Sequence, residues 1–221
     1  MLDGLVFRHL FVDLLRLALA LLIVASLRPI GALVRLLWRE RGGFLFDIGV
    51  GFGVVAALLR CLAALGFAHR AGVLTVMAVV LVASIPRARA LLSARRTPES
   101  VEIEAYGEVR ESRRWWLALG IAVPALMMAL TPPVSFDELA YHLRLPEVAL
   151  QTGGWPLDLA NSATFYPSAT EAIYLPALAL DPSGVTAKLI HFLFFLLLLT
   201  AVGRIVKRLS SPTQSSTGPP L

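Results

Sequence analysis

Residues 115–136 carry no charged side chain. A helix needs about 20 apolar residues to cross a hydrocarbon core, so this run is long enough to span a bilayer. Residues 71–85 form a second uncharged run. Residues 189–203 form a third, relieved only by His191 and Thr200, and residues 48–68 are apolar apart from Arg60. The chain as a whole is 57% hydrophobic and 16% charged, against roughly half and about a quarter in soluble domains. The pattern predicts an all-α polytopic membrane protein with about five to six transmembrane helices and an exterior loop carrying short interfacial helices.

The charges separate these runs. The net charge is +5 and comes almost wholly from arginine, since Lys188 and Lys207 are the only lysines. A nucleic-acid binder would gather its basic residues on one face. Here they sit at the ends of apolar runs, as in cytoplasmic anchoring of a multi-pass protein of the cell inner membrane, so no nucleic-acid partner is expected and the bilayer is the first partner. Cys61 is the only cysteine, which excludes an internal disulfide and a cysteine-based metal site.

Four regions follow. Residues 1–92 hold the N-terminal membrane helices. The first span, 10–27, has an uncharged heart of only 17–27; Arg16 and Arg28 could snorkel to opposite interfaces, and an interfacial amphipathic helix is the alternative. Gly49, Gly51 and Gly53 follow no strand, so they suit close helix packing rather than a phosphate loop. Asp13, Asp47 and Arg60 read as helix-end or snorkelling charges, and Pro86 is expected to end the third span. Residues 93–114 form a cytoplasmic loop; the wider connection 86–114 holds seven arginines and five glutamates. Residues 115–209 form a helix, an exterior loop over 131–171 and the following helices. Residues 210–221 form a Ser/Thr/Pro/Gly tail that is disordered by composition.

The exterior loop reverses the charge. It holds five acids, Asp137, Glu138, Glu147, Asp158 and Glu171, against Arg144 alone. Pro132 and Pro133 stop the preceding helix, and Ser135 or Asp137 can cap a new one. On a regular helix Asp137 would share a face with Tyr141, and Glu138 with His142. Adjacent carboxylates would then sit at the membrane boundary, where one could take a proton from an acceptor hydroxyl. A plain helix start is the bland reading of the same pair. Asp137, Glu138 and His142 offer donors to a divalent metal, but no metal-binding spacing stands out and no other cofactor is called for. For residues 169–180, charge alone favours a segment that does not span, leaving Arg204, Lys207 and Arg208 inside.

Thr131-Pro132-Pro133, Phe136-Asp137-Glu138, Tyr141-His142, Gly153-Gly154-Trp155, Tyr166-Pro167, Glu171, Tyr174 and the stretch 188–192 occur in that order. Together they resemble the start of the GT-C membrane glycosyltransferases, closest to bacterial relatives of the protein O-mannosyltransferases and lipid A aminoarabinose transferases. The resemblance covers roughly a third of the chain. It implies transfer of a sugar from a polyprenyl-phosphate carrier to an acceptor on the exterior face. Asp137 would act as general base, with Glu138 assisting. Tyr141, His142 and Tyr166 would line the sugar pocket, and Arg144 and Lys188 would be the local cations for the lipid phosphate. It also favours a spanning 169–180. Members of the family carry many more helices, so the expectation includes a membrane partner supplying the missing ones, or a non-catalytic relative that binds the lipid carrier.

Overall fold

A computed structural model of the chain describes residues 2–38, 43–94, 112–157 and 168–210. Every regular element among them is helical: α1 (Leu2–Trp38), α2 (Phe44–Ala64), α3 (Arg70–Ala94), α4 (Ser112–Leu130), a π-helical turn (Glu138–His142), α5 (Arg144–Thr152), α6 (Ala169–Leu180) and α7 (Val185–Ser210). Four stretches are long and apolar enough to cross a membrane: Phe7–Leu36, Phe44–Ala64, Arg70–Ala90 and Val185–Val206. The chain is an all-helical membrane protein.

Apolar side chains on the outside of these helices fit a lipid surround. Phe7, Leu14, Val82 and Leu198 are all exposed, a pattern that would aggregate in water but is neutral in hydrocarbon. With lipid outside, helices associate through close packing and polar pairs rather than through a hydrophobic drive. The α1–α2 pair uses both. A Cβ added to Gly31 would lie 1.7 Å from the Asp47 carbonyl oxygen, and one added to Gly51 would lie 1.8 Å from that of Leu27. Beside this contact the Arg35 guanidinium donates to the Asp47 carboxylate at 2.6 Å. Asp47 is therefore not a snorkelling charge. It is 2% exposed, and its half-buried partner Arg35 is what holds it there.

The connections define two ends of the bundle. At the loop end, Ala68 after α2 donates to the Gly153 carbonyl at the end of α5, and the Lys188 ammonium near the start of α7 reaches the Thr131 carbonyl at the end of α4. Arg16 on α1 pairs with Asp181 there, which gives that arginine a protein partner instead of an interface. The opposite end receives Arg35 of α1, the start of α2, and the Arg87 and Arg89 turn of α3. It also receives the start of α4 and the Arg204 turn of α7. The α3 helix runs through Pro86 to Ala94 rather than stopping. Proline removes one hydrogen bond, and the helix-forming Arg-Ala-Arg-Ala-Leu-Leu stretch that follows carries it on.

Helix α6 decides the topology of the second half. Its 12 residues reach only about 18 Å. Near its start Glu171 meets His142. Just past its end Asp181 pairs with Arg16 and precedes Gly184, which borders Pro133 and Leu143. Both ends stay at the loop end, and residues 171–179 are all buried. The segment is a core helix inside the protein, not a span, as the charge pattern favours and the family resemblance does not. Helix α7 consequently runs from the loop end to the basic end.

Candidate functional site

The site begins with a local folding event. After Pro132 and Pro133 stop α4, the Ser135 hydroxyl accepts from the Glu138 backbone N–H at 3.3 Å. The Glu138 carboxylate accepts from the backbone N–H of Ser135 at 3.2 Å and of Val134 at 3.1 Å. This reciprocal arrangement is a capping box. The turn it starts is π-helical, closed by the Leu143 N–H on the Glu138 carbonyl. Widening the repeat from four to five residues changes which side chains share a face. Asp137, Glu138 and His142 face one cavity beside this turn, and Tyr141 does not.

A cavity of about 610 Å3 opens beside this turn, within the range of small-molecule sites. Asp137, Glu138 and His142 line it together with Glu171 and Tyr174 of α6 and Lys188 and His191 of α7. Its flank is apolar, formed by Ala125, Met128 and Ala129 of α4 and by Phe192 and Phe195 of α7. The polar groups therefore sit where membrane helices give way to the loop.

Each polar group has a distinct state. Asp137 is exposed and accepts no hydrogen bond from a described residue. Burial pushes the Glu138 carboxyl up, but the Ser135 and Val134 backbone donors and the Lys188 ammonium outweigh it and hold its pKa below the usual carboxylate value. Lys188 lies 3.4 Å from Glu138 and donates to the carbonyls of Thr131 and Pro132, so it seals the C-terminal end of α4. His142 Nδ1 lies 2.6 Å from Glu171 Oε1. Tyr174 and His191 share a second hydrogen bond, with the hydroxyl 2.9 Å from Nδ1. Among the described residues no three His, Cys, Asp or Glu side chains converge as a metal shell.

Of the residues expected from sequence, Asp137, Glu138, His142 and Lys188 come together in this cavity. Tyr141 does not line it; its ring stacks at 4.0 Å on that of His142. Arg144 does not line it either, being an exposed partner of Glu147 at 3.0 Å. Tyr166 lies outside the described residues. Glu171, Tyr174 and His191 are site residues that the sequence-based selection leaves out. The available signal was an acid and a histidine inside apolar helices, where an ionisable group marks a functional position by default.

Asp181 is held charged by a similar balance at the neighbouring turn. Burial pushes its carboxyl up, while Ser183 and Thr186 donate to it and bring its pKa below the usual value. It caps α7 through the Thr186 N–H and hydroxyl, which fixes the helix that carries Lys188 and His191 into the cavity.

No protein-family model, curated protein or solved structure matches this chain.

Proposed function

We propose that this chain is an integral membrane glycosyltransferase-like protein of GT-C type. It passes a sugar from a polyprenyl-phosphate carrier to an acceptor on the exterior face of a bacterial inner membrane. The observation that carries the reading is a cavity with one apolar wall of membrane helices and one wall of carboxylates, with Asp137 the carboxylate that accepts no hydrogen bond from a described residue. A lipid-borne substrate needs that combination: an apolar approach for its chain and polar groups for its head. In the reaction Asp137 accepts the proton of the acceptor hydroxyl. The freed oxygen forms a bond to the anomeric carbon, and the bond from that carbon to the phosphate oxygen breaks, releasing polyprenyl phosphate. The basic end of the bundle supports the orientation, because arginine-rich ends stay in the cytoplasm.

One observation favours a second reading, a non-catalytic protein that binds the carrier or assembles with a larger transferase. A departing lipid phosphate needs a cation. Among the described residues Lys188 is the only lysine or arginine lining the cavity, and its ammonium is already bonded to Glu138 and the carbonyls that follow α4. The test uses membranes containing the full chain and radiolabelled polyprenyl-phosphate sugars. Catalysis predicts transfer that Asp137→Asn reduces about 100-fold or more, the usual scale for losing a general base, while insertion is unchanged. Carrier binding with no transfer, indifferent to that substitution, establishes the second reading instead.

A further inference from the structure

Glu171 has an oxygen with nothing to do. The residue is 6% exposed and lines the cavity. Oε1 is taken by His142 at 2.6 Å, but Oε2 is buried without a hydrogen-bond partner among the described residues. A buried carboxylate oxygen left unsatisfied is costly. Arg60, stacked at 4.0 Å over Trp155, lies within electrostatic reach of Glu171. It forms no ion pair with it, so its charge softens the burial without occupying Oε2. Retaining such a group in an apolar helix makes sense when a ligand completes it.

The sign of charge selects that ligand. Among the described residues Asp137, Glu138 and Glu171 contribute three carboxylates to the cavity, against the single ammonium of Lys188, which already has partners. An anion is repelled here, whereas a hydroxyl donor is drawn in. Resting on the carrier reading above, we infer that Glu171 is the sugar-binding residue of the cavity. Its Oε2 accepts a hydrogen bond from a sugar hydroxyl, and the carrier phosphate lies away from the carboxylates. His142 holds the carboxylate in position from the other side.

The experiment compares two probes on the full chain in nanodiscs: polyprenyl-phosphate sugars (mannosyl, glucosyl and N-acetylglucosaminyl) and polyprenyl phosphate without sugar. Glu171→Gln keeps the size and a hydrogen bond to His142. It is expected to weaken the preferred sugar-bearing lipid about tenfold or more, the scale of a hydrogen bond to a charged group, and to leave the sugar-free lipid unchanged. Binding of the sugar-free lipid also reports that the variant is folded. Equal affinity of wild type and variant for the sugar-bearing lipid overturns the inference alone. Equal weakening of both lipids overturns it too, assigning Glu171 a structural role. If wild type binds no sugar-bearing lipid, the carrier reading fails and takes this one with it.

Discussion

Glu138 serves the cap and the ion pair at once, because a carboxylate has two oxygens and about four acceptor sites. Oε2 closes the capping box and Oε1 faces Lys188. Such a group is held ionised, and its depressed pKa sets the sign of a pH effect. The stabilisation is complete above the unfolded carboxylate value of about 4.3 and is lost as pH falls through the lower folded value. Acidifying purified protein from pH 6 to pH 3 should therefore lower its Tm, and Glu138→Gln should flatten part of that fall. A variant whose Tm tracks wild type throughout would show that Glu138 plays no such part. The cap was legible in the spacing of Ser135 and Glu138, and so was the nearness of Asp137 to the boundary. The π-turn was not, because a one-residue change in helical repeat leaves no mark on composition. On this turn His142 lies inside the cavity and Tyr141 outside it.

At the scale of elements, glycine does different work at different positions on one helix. The run Gly49, Gly51, Gly53 advertises close packing, yet only Gly51 touches a neighbouring backbone. A Cβ at Gly49 or Gly53 meets nothing within 4 Å. Its counterpart is Gly31 of α1, which the sequence does not single out because it stands alone between apolar residues. Gly51→Ala and Gly31→Ala should each force α1 and α2 apart and cost about 1–3 kcal/mol, as overpacking does. Gly49→Ala and Gly53→Ala should be neutral or stabilising by up to about 1 kcal/mol through helix propensity. Thermal unfolding of the four variants in one detergent separates the two classes, and equal effects at Gly49 and Gly51 would refute the packing account. Element lengths show the same division between what sequence tells and what contact decides. The runs 48–68, 71–85 and 189–203 fall on spanning helices, whereas among the described residues the run 115–136 contributes only the shorter apolar helix Leu119–Leu130, and the span Phe7–Leu36 is one that charges interrupt. The ambiguity of α6 was settled by its burial and by the contacts of its two ends, since a mainly apolar helix of 12 residues suits a protein core as well as a membrane edge.

At the scale of the whole molecule, the fold sorts charge along the membrane normal. Acids and bases roughly balance at the loop end, while the described part of the other end carries Arg35, Arg87, Arg89 and Arg204 against Asp47, which is already paired with Arg35. Sequence made this asymmetry visible as blocks of arginine. It could not tell which block belonged to which end beyond residue 168, because one additional crossing inverts everything after it. The packing of α6 removes that crossing, so the Arg204 turn joins Arg87 and Arg89. On the proposed reading, the positive-inside tendency gives a single orientation, with the cavity outside. A cysteine at Val134, 79% exposed at the loop end, should react with a membrane-impermeant maleimide in intact cells. One at Ser93, exposed on the last turn of α3, should react only after permeabilisation. Cys61, itself exposed on α2, is first replaced by serine so that each signal has one source. Labelling of both positions from the same side would break the two-ended arrangement. Reversed labelling would keep the bundle but turn the cavity to the cytoplasm, where a carrier-borne sugar could not meet an exterior acceptor.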